Sequence, residues 1–112
     1  MPINVCIDVD LTLIDEEGEL LPGAIEALTK LRELPCELTL WSACGAQYAK
    51  SVAARHKLEE FFEGFAGKPD LAIDDTPESL VLRKLIVRMP GDHWNEIQLQ
   101  AAEAIRQLQE EP

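Results

Sequence analysis

The feature that most constrains this chain is an alternation. Short, β-branched apolar runs that end on polar residues are separated by stretches with helical periodicity. Residues 3–9, Ile-Asn-Val-Cys-Ile-Asp-Val, are the first such run, and Asp10 follows them. A run of this length and composition reads as a buried strand. Glu16-Glu17-Gly18-Glu19 is a turn signal with apolar residues on both sides, so a small hairpin is expected between Leu11 and Leu21. Residues 23–34 read as a helix with Ile25, Leu28, Leu31 and Leu34 inward, stopped by Pro35. Residues 37–41 predict a second strand, Ser42 to Gly45 a loop, and Ala46 to His56 a helix with Ala49, Val52 and Ala53 inward. A short helix and a short strand are expected within 58–67. Two further strands are expected at 71–73 and 85–87, with a helix start at Pro77 between them. Residues 94–109 close the chain as an amphipathic helix with Trp94, Ile97, Ala101, Ile105 and Leu108 on one face.

Strands alternating with helices predict a parallel sheet with helices on both faces, a three-layer α/β/α arrangement. At 112 residues, without repeat or linker, the chain is expected to form one domain over 1–112. No apolar run reaches the roughly 20 residues of a membrane helix. The first residues lack a basic segment followed by an apolar one, so no leader is expected. Cys6, Cys36 and Cys44 are odd in number and irregular in spacing, which fits free thiols in a reducing cytoplasm better than a disulfide framework or zinc. With 10 Lys and Arg against 21 Asp and Glu, the net charge is −11. A nucleic-acid partner is therefore not expected, nor, without a spanning apolar run, is a membrane, and any anion site must bring its own local cations.

The polar ends of the runs carry the chemistry. In open parallel sheets, ligands bind beyond the carboxyl ends of the strands. Asp8 and Asp10 follow the first run, Ser42 the second, and Asp74 and Asp75 the run at 71–73, with Lys68 just before it. Four carboxylates converging on one edge would repel one another. A divalent cation and the Lys68 ammonium would resolve that conflict. Carboxylate oxygens without imidazole or thiolate suit Mg²⁺.

These residues resemble a family. Val5-Cys-Ile-Asp8-Val-Asp10-Leu-Thr12-Leu13 resembles the first motif of the haloacid dehalogenase superfamily, a hydrophobic strand followed by DxDxT. Leu38-Thr-Leu-Trp41-Ser42 is similar to its second motif, Gly67-Lys68-Pro69 to its third, and Leu71-Ala-Ile-Asp74-Asp75 to its fourth. The resemblance spans residues 3–75 in the family's order. It implies a parallel, Rossmann-like sheet and a Mg²⁺-dependent phosphatase working through an aspartyl-phosphate on Asp8. Asp10 is then the general acid and base, and Lys68 neutralises charge on the nucleophile and the phosphoryl group. Ser42, Ala43, Leu11, Thr12 and Lys68 are the implied phosphate-binding positions. Asp8, Asp10, Asp74 and Asp75 are the implied Mg²⁺ ligands. The gaps 12–41 and 43–67 leave no room for a cap domain, so an open site is expected, covered by a second copy in a homo-oligomer or by a large phosphorylated partner.

Other readings compete. A phosphotransferase would share the first chemical step. A module that keeps the fold without catalysis would be expected to lack Asp8 or Asp10. A receiver-like phosphoacceptor would carry its acidic pair ahead of the nucleophile and its lysine last, the reverse of the order here. Taken singly, Asp8 and Asp10 could be turn residues, Ser42 a helix cap, Lys68 a surface lysine, and Asp74 and Asp75 caps of the helix at Pro77. His56 and His93 read as surface residues, and Trp41 and Trp94 as packing residues. The substrate is expected to be phosphorylated, either a small molecule or a protein.

Overall fold

The computed structural model describes residues 2–75 and 83–111. The helix start expected at Pro77 lies outside them. Strand β1, Ile3–Asp8, pairs in parallel with β2, Cys36–Ser42, and β2 in turn with β3, Gly64–Gly67. The sheet order is β1-β2-β3. Helix α1, Ala24–Arg32, connects β1 to β2, and helix α2, Ala46–Arg55, followed by a 3-10 turn at Glu59–Phe61, connects β2 to β3. Helix α3, Trp94–Glu110, closes the chain and packs against α1 and β1.

Register decides which side chains share a face. Val5 pairs with Leu38 and Ile7 with Leu40, so these four lie on one face of the sheet. Ile7, Leu38 and Leu40 are buried there, together with Leu28 and Leu31 of α1 and Ala49, Val52 and Ala53 of α2. On the other face Asp8 pairs with Trp41 and Cys6 with Thr39, and Cys6 is exposed.

The segment after β1 coils tightly instead of extending. The carbonyl of Val9 accepts from the N–H groups of Thr12, Leu13 and Ile14 at 3.3, 2.9 and 3.2 Å. Leu11 takes a left-handed conformation, φ 61°, to close the coil. Val9 and Leu13 are fully buried, so the coil is anchored by its apolar residues while Asp10 and Leu11 face water. The expected hairpin follows. Ile14 bridges Leu20, and the Asp15 carboxylate accepts from the N–H groups of Glu17 and Glu19, both at 2.9 Å. Its tip rests on the end of α2, where His56 Nε2 lies 2.8 Å from the Gly18 carbonyl.

Two expected strands do not form. Residues 71–73 and 85–87 have no ladder partner among the described residues, and Leu71 and Ile73 are 79% and 94% exposed. A three-residue apolar run carries no period and no register of its own; it becomes a strand only where an edge receives it. Of the second run only Ile86 packs against the core. Among the described residues β1 is therefore an edge strand. A second correction concerns α1, which buries Ala24, Ala27, Leu28 and Leu31 and leaves Ile25 exposed. Residues spaced by three fall about 60° short of a full turn at each step and drift off one face, whereas a mixed three-and-four spacing stays on it. On α3 the buried stripe is Trp94, Ile97, Gln98, Ala104 and Ile105, with Ala101 and Leu108 half-buried.

Candidate active site

Parallel register brings the three strand ends together. Asp8 ends β1 beside Trp41, and Ser42 ends β2 beside Gly67. Lys68 follows β3, and its N–H extends the ladder by one bond to the Ser42 carbonyl, 2.9 Å. Gly67 permits this close approach. A Cβ there would sit 3.2 Å from the Cα of Gly45, at the start of α2.

The centre of the site is the Asp8 carboxylate. Lys68 Nζ lies 3.0 Å from its Oδ1, and the Thr12 hydroxyl donates to its Oδ2 at 3.1 Å. The Lys68 ammonium also stands over the Trp41 ring, 5.3 Å from the centroid. Asp8 and Lys68 are 32% and 37% exposed at the side chain, so a ligand in solvent can reach them. The loop bearing Thr12 is pinned from behind, since Trp94 Nε1 donates to the Thr12 carbonyl at 2.9 Å. Trp94 is a packing residue, as expected, and it is also the brace of this loop.

The remaining expected positions are placed differently. Asp10 is exposed and turned toward α2, where the Tyr48 hydroxyl donates to its Oδ1 at 2.6 Å. That hydrogen bond raises the Tyr48 pKa to about 12, with burial and the Asp10 charge adding to it. Ser42 is buried, and its Oγ accepts from the Cys44 N–H at 3.0 Å, so it braces the turn that leads into α2. Its side chain lies on the sheet face opposite Asp8 and Trp41. Ala43 and Cys44 are exposed in that turn. The Leu11 N–H is engaged by the Ile14 carbonyl at 2.9 Å.

Asp74 and Asp75 lie exposed in a segment without regular structure. Among the described residues no group of three or more His, Cys, Asp or Glu side chains is gathered as a metal cradle. Asp8, Asp10, Asp74 and Asp75 are thus not gathered into one such group in this arrangement. The cation that meets Asp8 is Lys68.

Two contacts at the site carry little or no signal in the sequence. Tyr48 flanks the inward stripe of α2 near its first turn, at the sheet end where Asp10 lies; that position was the available signal. Arg88, whose Nη1 donates to the Leu11 carbonyl at 3.2 Å, lies 77 residues away and had none.

The chain matches no protein family, no curated protein and no solved structure.

Proposed function

We propose that the chain is a phosphatase of the haloacid dehalogenase type, a capless three-layer α/β/α domain that works through Asp8. The observation that carries this reading is the Asp8 carboxylate, presented at a strand end between the Lys68 ammonium and the Thr12 hydroxyl. These two donors orient the carboxylate and leave it open to solvent. The small size of the connections supports the capless form. A hairpin and α1 fill the first gap; α2 and one 3-10 turn fill the second.

In the first step an Asp8 oxygen attacks phosphorus and the bond to the ester oxygen breaks. The leaving oxygen takes a proton from Asp10, giving an alcohol and an aspartyl-phosphate. In the second step water attacks the phosphorus of this intermediate. Asp10 accepts the proton of the water, and phosphate leaves with the Asp8 carboxylate restored. Lys68 opposes the charge that builds on the phosphoryl oxygens in both steps. Tyr48 holds the Asp10 side chain in one orientation between them. An acceptor other than water in the second step would make the same site a phosphotransferase.

The assay is turnover of an aryl phosphate. Asp8→Asn is expected to reduce kcat by at least about 1000-fold while the circular dichroism spectrum is retained. Turnover within about tenfold of the native protein would remove Asp8 from the reaction. Mg²⁺ belongs to the proposal through the all-carboxylate donor set alone, and no step above depends on it. Its measurement is separate. At a constant ionic strength of ~0.15 M, millimolar Mg²⁺ is expected to raise the melting temperature of the native protein and not that of Asp8→Asn. An unchanged melting temperature would remove the metal and leave Asp8 to be judged by turnover.

A further inference from the structure

The cavity beside Asp8 is larger than a phosphoryl group requires. It measures about 400 Å³ and runs from Asp8, Thr12 and Lys68 along β1 to the face of α3. That volume suits a small organic ligand. Beyond the cations its wall is mostly carbon, supplied by Ile3, Val5, Ile97, Ala101, Ile105 and Leu108. A sugar or peptide would leave its hydroxyl or amide groups unpaired against such a wall.

The charged lining is concentrated. Among the described residues Lys68, Lys84 and Arg88 all border this cavity, against a single lining carboxylate, Asp8. They are three of the 10 Lys and Arg residues in a chain of net charge −11. Arg88 adds a more specific sign. Its Nη1 is held by the Leu11 carbonyl, yet its Nε is buried and has no hydrogen-bond partner among the described residues. A buried guanidinium N–H without an acceptor is costly, and a charged acceptor on a ligand would relieve it.

We infer that this cavity holds the body of the substrate, a soluble phosphomonoester with an apolar alkyl or aryl portion. Arg88 is its second cationic contact, donating from Nε to a phosphoryl oxygen beside Lys68. The inference rests on the reading of Asp8 given above. It extends that reading from the reaction to the substrate class.

The test is calorimetric titration of the native protein with methylphosphonate and octylphosphonate, which share a head group and cannot be hydrolysed. Octylphosphonate is expected to bind at least about 30-fold more tightly, because its chain leaves water for the apolar wall. Arg88→Ala is expected to weaken both ligands by about tenfold or more, and Arg88→Lys to restore only part of the loss, since lysine lacks the Nε donor. Affinities for the two phosphonates within about threefold of each other would overturn the inference. So would native affinity in Arg88→Ala, or retention on phosphatidic-acid vesicles without binding of soluble octylphosphonate. Should Arg88→Ala fail to fold through loss of its bond to Leu11, the ratio of the two phosphonates on native protein still decides. Turnover of aryl phosphate without this selectivity would leave the Asp8 reading standing and remove the cavity. Selective binding without turnover would do the reverse.

Discussion

Tyr48 is the only tyrosine in the chain, so its ionisation can be followed without interference from another. Removing its proton would break the bond to Asp10 and set two negative charges side by side, which is why its pKa is raised to about 12. Tyrosinate absorbance is therefore expected to appear near pH 12 in the folded protein, and near the ordinary value of about 10 in Asp10→Asn. The folded state favours the protonated phenol. Its stabilising contribution is full below pH ~10 and is lost as pH rises through the folded value. A native titration at the ordinary value would dissolve the Tyr48–Asp10 pair. Lys68 makes a different separation. Its ion pair with Asp8 is about one-third exposed on each side, so Lys68→Met is expected to lower stability by no more than about 1 kcal/mol. The same change is expected to reduce kcat/KM for an aryl phosphate by about 100-fold or more, because charge builds beside it only during reaction. Equal, small effects on both would make Lys68 an ordinary surface lysine.

At the scale of elements, Gly23 joins the hairpin to α1 in a left-handed conformation, φ 81°, and a Cβ there would lie 2.3 Å from the His93 ring. His93 caps α3, accepting from the Asn95 N–H at 3.0 Å. Gly23→Ala therefore strains the start of one helix and displaces the cap of another. The expected loss is about 2 kcal/mol, read as a fall of roughly 10 °C in melting temperature. A fall under about 2 °C would mean that the α1–α3 junction yields freely. Elements whose pattern is long enough to carry a period were legible in the sequence: β1, β2, α2 and α3 form where their residues predict them. Even the weak 58–67 stretch resolves into its turn and strand. The runs at 71–73 and 85–87 failed for the opposite reason, since three apolar residues fix neither period nor partner. In the site, Asp8 and Lys68 were legible because register aligns strand ends. Ser42 lies on the opposite face, one residue beyond Trp41, where its hydroxyl braces the turn into α2. Arg88 was illegible because its contact joins segments 77 residues apart.

At the scale of the whole molecule, charge is distributed unevenly. A net charge of −11 on 112 residues means that folding gathers like charges into a smaller volume. The acidic surplus lies on exposed positions, including Glu16, Glu17 and Glu19 of the hairpin and Glu59 and Glu60 before β3. Three cations, in contrast, border the cavity beside Asp8. Long-range repulsion opposes both folding and the approach of an anion, while short-range pairing at Lys68 and Arg88 favours the anion once it arrives. Salt separates the two contributions. At ~0.01 M ionic strength the screening length is about 30 Å, comparable to the principal extents of 39 × 30 × 27 Å, so most of the surplus charge repels across the molecule. At ~0.15 M it is about 8 Å, and only neighbours interact. Raising sodium chloride over this range is expected to increase the melting temperature by several degrees, and a lithium salt should act alike because no specific ion is involved. It is also expected to increase the association rate of octylphosphonate, since the repelling charges are distant and outnumber those at the cavity. A melting temperature that falls with salt would mean that attractive pairs such as Lys68 with Asp8 outweigh the surplus. A slower association would mean that the cavity's own cations dominate the field an approaching anion meets.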